Sequence, residues 1–377
     1  MKKHQVPLAL LGVLLAAAFV LFGCEGPAGT PGKDGQNGTS GVLNLEGFAP
    51  GIKCGDCHNP DIDTTYYLWA RRYQWTNSKH AYGGDLERNG PDCAGCHTTE
   101  GFIQRWKNNW ASTTVSAQNN PSPPGCFACH SPHSRGNFSL RDTVPVVLKS
   151  YIVGASDATF NYGKGNICAQ CHQPRSLSPM PDPTKTAITD TITITSSRWY
   201  THYGTQAQML MGVGGFQFQG YTYENSAHTT NTALKQEGCI ECHMASQVYP
   251  PDLGSGRGGG HTMKIRYSSD ETESDTLFVL KGCNQTGCHG TSYTKAKILA
   301  DEQAIVDSLH ALETLLLQKN WLTSSLLVRT PLKIAPAYKA GALYNYFFVE
   351  HDLSKGMHNR KYAQALLNSS LQVLRAP

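Results

Sequence analysis

Apolar residues are spread unevenly along the chain. Lys2 and Lys3 precede an apolar run from Val6 to Leu21, which predicts an export segment and is too short and too soon interrupted for a membrane span. From about Lys295 the pattern becomes helical: Ile298, Ile305, Leu309, Leu312 and Leu316 trace one seam, and further helical patterns run over Ala340 to Val349 and Tyr362 to Leu374. Two or three helices are expected there, packed on the rest of the chain rather than forming an independent domain. Between these ends, from about Phe48 to residue 294, periodicity is weak. Pro121-Ser122-Pro123-Pro124-Gly125 and Gly254 to Gly260 punctuate it, so loops and short helices are expected. Thr189 to Thr195 alternates as a strand or hairpin arm would. The expected fold class is mainly α with extensive loops and little β.

Cysteine spacing changes this picture. C-x-x-C-H occurs five times, as Cys54-Cys57-His58, Cys93-Cys96-His97, Cys126-Cys129-His130, Cys168-Cys171-His172 and Cys239-Cys242-His243. Chance supplies on the order of 0.02 copies at this cysteine frequency, so the recurrence points to haem attachment: two thiols that add to the vinyl groups of one porphyrin and a histidine beside its iron. Zinc fingers and redox C-x-x-C motifs are the alternatives. No thioredoxin-like βαβ pattern surrounds any copy, and a histidine directly follows each second cysteine. A sixth motif, Cys283-Asn284-Gln285-Thr286-Gly287-Cys288-His289, has four residues between its cysteines; it resembles the widened loop of low-potential tetrahaem cytochromes, with a disulfide or a metal site as the alternative. Six covalent haem c groups are therefore expected, with the porphyrins forming the core of a chain that does not fold without them.

Six motifs use twelve of the thirteen cysteines, leaving Cys24. Leu21-Phe22-Gly23-Cys24 resembles a bacterial lipobox, so Cys24 is the expected lipidation site; an uncleaved membrane helix is the alternative. Glu25 rather than aspartate follows it, which favours the outer membrane. Glycine then falls at every third position from Gly26 to Gly41, a collagen-like pattern with few triplets, read as a flexible tether rather than a trimerising stalk. The expected organisation is signal peptide 1–23, lipidated cysteine and tether 24–47, haem-binding region 48–294 and C-terminal helical region 295–377 packed on the haem array. The formal charge of +4 gives no argument for nucleic acid, because haem propionates bring the loaded ferric protein to about −4.

Function depends on the second axial ligand of each iron. Two protein ligands leave an electron carrier, and an open position admits substrate. His133 lies three residues after His130; on one face of a short helix the two rings cannot reach opposite sides of one macrocycle, so His133, if a ligand, serves a neighbouring haem. A surface role is the alternative. His80 and His228 each lie a short loop before a motif, and His202, His261 and His358 sit in loops rich in small residues that let backbone approach a porphyrin. With His133 these make six distal candidates. His310, in the helical seam, and His351, between Glu350 and Asp352, are expected to be structural.

The order S-K-H-A, C-A-G-C-H-T-T-E-G-F, C-F-A-C-H-S-P-H, N-I-C-A-Q-C-H-Q-P-R, H-Y-G-T-Q, Y-E-N-S-A-H, C-I-E-C-H-M, G-H-T-M and D-L-S-K-G-M-H-N-R-K-Y resembles the multihaem cytochrome c superfamily, which includes pentahaem nitrite reductases, octahaem hydroxylamine- and tetrathionate-converting enzymes and electron-carrying relatives. The resemblance covers roughly His80 to Leu374. It implies a mostly helical, loop-rich fold, haems in parallel and perpendicular pairs, and distal ligands at the six positions above. The C-x-x-C-K motif of the nitrite reductases does not occur here, and no catalytic residue is carried over.

Two functions follow. The first is electron transfer along bis-histidine haems to redox partner proteins or an extracellular acceptor, from a lipid-anchored position at the outer membrane, as a tethered chain, a complex subunit or a filament. The second is a reductase or oxidase of small nitrogen or sulfur compounds with one open haem, for which the sixth motif is the expected site and Tyr223 and Arg266 are candidate neighbours.

Overall fold

A computed structural model describes residues 67–82, 86–135, 137–245, 256–268 and 275–376, with Gly55, His58, Asn59 and Asp61. All of these belong to one compact unit, Gly47–Pro377. The export segment, Cys24, the glycine repeat, Cys54 and Cys57 lie outside the described residues.

Among the described residues the architecture is helical with long loops and three small sheets. Five helices have nine residues or more: α1 (Leu68–Thr76), α2 (Thr99–Lys107), α3 (Lys295–Gln318), α4 (Ala340–Glu350) and α5 (Arg360–Arg375). Capping explains where several begin. The Thr98 hydroxyl accepts from Gly101 N at 2.9 Å ahead of α2, Thr294 accepts from Lys297 N ahead of α3, and Asn359 accepts from Tyr362 N ahead of α5, each satisfying a donor the helix leaves unpaired. The strands β1 (Val146–Leu148), β2 (Ala158–Phe160), β3 (Ile192–Ile194), β4 (Arg266–Tyr267), β5 (Leu277–Phe278) and β6 (Leu332–Ile334) pair antiparallel as β1-β2, β3-β6 and β4-β5.

The alternating stretch at Thr189 is thus a strand, with Ile192 and Ile194 turned inward. Its partner is β6, far along the chain, and not a hairpin neighbour. The seam of α3 buries Ile298, Ile305, Leu312 and Leu316, and Leu309 packs partly buried beside them. Helix α4 is buried on every side from Ala340 to Val349, the pattern of a helix at the centre of a core. Around it lie α3, α5, Trp199, Met209, Phe216 and Phe218 in one apolar cluster. Asn345 fastens this core: it accepts from Phe216 N at 2.7 Å and donates to Phe216 O at 2.8 Å. Protein side chains form this cluster, beside the motif-bearing region where porphyrins are expected to supply the core.

The helix expected to carry both His130 and His133 is corrected. Cys126–Cys129 and Pro132–Arg135 are separate turns, and His130 between them is extended, with φ −118° and ψ 156°. Pro132 disfavours helix at the residue before it, and His130 bridges instead to Leu140.

Candidate haem-binding sites

Among the described residues, the motifs lie in, at the edge of or directly after short helical turns. Ala94–His97, Cys126–Cys129, Asn166–Ala169 and Cys239–His243 are such turns, and the sixth motif follows the 3-10 turn Leu280–Gly282. Two cysteines three apart on one turn face the same way, which suits two thioether bonds to one porphyrin edge. Every described motif cysteine is free of disulfide, Cys283 and Cys288 included.

The six motif histidines each face one other histidine. Ring centres are 6.2 Å apart for His58 and His133, 6.2 Å for His97 and His202 and 6.3 Å for His130 and His261. They are 6.2 Å apart for His172 and His80, 6.1 Å for His243 and His358 and 6.0 Å for His289 and His228. A metal bound at about 2 Å to one nitrogen of each ring, with about 1.15 Å from nitrogen to ring centre, sets the centres about 6.3 Å apart. The donor set fits an iron held between two imidazoles at all six places. No group of three or more His, Cys, Asp or Glu side chains converges as a metal cage among the described residues.

The second ring nitrogen of several of these histidines is held by an acceptor, which orients the ring and frees the other nitrogen for a metal. His243 Nδ1 lies 3.0 Å from Met263 O, His228 Nδ1 3.0 Å from Met357 O, His172 Nδ1 3.2 Å from Gln206 Oε1 and His130 Nδ1 3.3 Å from Ser139 O. His358 differs. Its Nδ1 is 2.7 Å from Asp352 Oδ1, and Ser354 Oγ donates to the other carboxylate oxygen.

Burial, and then neighbouring His172, lowers the pKa of His80 to about 4. Burial, then the Arg71 charge, lowers that of His261 to about 4. Burial also lowers His130, His172, His228 and His243, so these rings are neutral at pH 7, the form that binds metal. At His358 burial acts downward, but the Asp352 charge and hydrogen bond outweigh it and raise the pKa.

His202 sits at φ 60°, in the left-handed region. Its carbonyl is 3.1 Å from His351 Nδ1, while Thr205 Oγ1 donates to Phe348 O at 3.0 Å and Gln206 Nε2 to His351 O at 3.0 Å. His351 is buried, as its structural reading requires, and its work is to hold this loop. His310 is exposed on α3. Tyr223 and Arg266 stand away from the pairs in their bonding: Tyr223 hydrogen-bonds Ser369 and Phe218 N, and Arg266 pairs with Glu302. Sequence reasoning missed Gln206, Met263, Asp352 and Met357 as the groups that orient the rings. Only Asp352, six residues before His358, carries a signal that spacing alone offers.

No family model matches the chain, and no curated protein matches it. Among solved structures it is similar to the crystal structure of outer cell wall cytochrome OcwA, with a TM-score of 0.49 and 20% identity, over 81% of this chain and 50% of that one. The chain spans half the length of that protein, and a likeness of this size carries no argument about chemistry.

Proposed function

We propose that this chain is an exported six-haem c-type cytochrome that carries electrons between centres with two imidazole ligands each. The observation that supports this is the facing of all six motif histidines by a second histidine at 6.0 to 6.3 Å. Haem supplies a one-electron carrier, and two protein ligands close its iron to substrate. The cysteine pairs fix each group covalently, the Nδ1 acceptors orient the ligand rings, and burial lowers the pKa of His80, His130, His172, His228, His243 and His261. His228 faces His289 of the widened motif, which argues for carriage there rather than for an open reactive site.

The same reading includes a lipid anchor at Cys24, an outer-membrane position on the cell envelope, and redox proteins or an extracellular acceptor as partners, with filament or complex formation open to the same chain. The deciding experiment is an electron paramagnetic resonance spectrum of the oxidised protein alongside a pyridine haemochrome count. Low-spin signals alone with six haems per chain are the expected result. A high-spin ferric signal near one haem per chain, with turnover of nitrite or hydroxylamine, overturns the carrier.

A further inference from the structure

The motifs touch one another in a pattern that the order of the sequence does not contain. Take first the motif of Cys168, Cys171 and His172. On one side it meets the motif of Cys93 and Cys96: buried Arg105 donates through Nη1 to Gly95 O at 3.3 Å, Cys96 Sγ at 3.2 Å and Gln170 O at 3.0 Å, and Cys171 Sγ lies 4.0 Å from Gly95 O. Gln206, which orients His172, begins the short helix Gln206–Met211, four residues after His202, the ring facing His97.

On a second side it meets the motif of Cys126 and Cys129. Ala128 and Ile167 share a small apolar cluster with Phe102, and Cys129, Cys168 and Cys171 pack against it. On a third side it meets the motif of Cys239 and Cys242. Cys239 Sγ lies 3.9 Å from Gly165 O, and a Cβ on Gly165 would lie 2.7 Å from Cys239 N and 2.8 Å from Gly238 Cα. The backbones there are in contact because neither glycine has a side chain. Met263 ties this side further: its sulfur is 2.8 Å from His80 Nδ1 and its carbonyl 3.0 Å from His243 Nδ1.

The remaining contacts run outward. The motif of Cys126 leads to that of His58, because His133 faces His58 while His130 faces His261. The motif of Cys239 leads to the sixth, because a Cβ on Gly282 would lie 2.9 Å from Cys242 Cα and Gln285 bonds Glu241. Among the described residues the turn after His97 also reaches the Cys126 motif, where Gly125 N donates to Thr99 Oγ1 at 2.9 Å, while the motif of Cys168 keeps its three neighbours.

We propose, resting on the six-haem reading above, that Cys168, Cys171, His172 and His80 form a three-way junction from which electrons reach three neighbouring centres. Each step moves one electron, so one centre is oxidised as its neighbour is reduced, and no bond is made or broken. A donor at one of the three can thereby feed acceptors at the other two.

The test uses His80→Met in the fully loaded protein. A methionine ligand raises the potential of the junction centre, so that one equivalent of reductant reduces it first and removes its spin. Intact mass reporting six haems and a far-red ferric charge-transfer band from histidine–methionine ligation establish the starting state; absence of either overturns the haem reading and the junction with it. The junction predicts that three of the five remaining ferric low-spin signals change when that one spin is lost. A change in two, as inside a linear chain, or in one, as at an end, overturns it. If His80→Met does not accumulate, a crystal structure of the loaded unaltered protein decides the same point by whether the porphyrin on Cys168 and Cys171 has three neighbours in edge contact or fewer.

Discussion

Helices α3, α4 and α5 bury Leu312, Leu316, Phe348 and Leu366 completely against one another and against Trp199 and Phe216. From Leu68 to Met244 the helices have four to nine residues, and the clusters there are small, with cysteines at their margins. The first region is held by apolar packing of protein on protein. The second is held by short turns that bring the histidines and cysteines of the motifs together. One chain thus contains a part in which protein side chains bury one another and a part built of short turns that carry paired imidazoles.

The largest effect expected is on the haem-free chain, made by replacing the motif cysteines with alanine. Limited proteolysis should cut within residues 58–135 at least about tenfold faster than within 295–376, since local opening follows the loss of buried contacts. Equal cutting of both regions would erase the distinction and restore the simpler expectation that nothing folds without haem. Next is Phe348→Ala in the loaded protein, expected to cost about 3–5 kcal/mol in guanidinium unfolding while the haem absorption spectrum stays that of six low-spin centres. Gly341→Ala should cost about 1–3 kcal/mol by the same assay, because the added methyl meets the Phe216 ring and overpacks a closed core.

The smallest effect belongs to the motif region alone. If His358 holds an iron, the Asp352 carboxylate on its Nδ1 would make the ring a stronger donor and favour the ferric state. Asp352→Asn should raise the potential of one centre by about 60 mV, a tenfold change in a one-electron equilibrium, read by spectroelectrochemical titration. A shift spread over all six would mean a change of fold rather than of one ligand.

The helical seam at Ile298, the strand at Ile192 and the separation of histidines into two sets are legible in the sequence because each depends on period or spacing. The fold pairs one member of each histidine set with one of the other. What spacing cannot reach is which loop brings the acceptor for a ring: Met263 O for His243 and Gln206 for His172 come from chain segments 20 and 34 residues away. The helix expected across His130 and His133 failed on a local competitor, since the bridge to Leu140 holds His130 extended and Pro132 disfavours helix at Ser131. Nor does any periodicity foretell that Arg105 joins two motifs, because an arginine on a short helix reads as a solvated one.

At Gly165 and Gly238 it is main chain against main chain that sets how near the turns of Cys168 and Cys239 stand. Rotamer hopping and side-chain breathing elsewhere do not alter that gap. Passage across it should therefore be nearly indifferent to solvent viscosity.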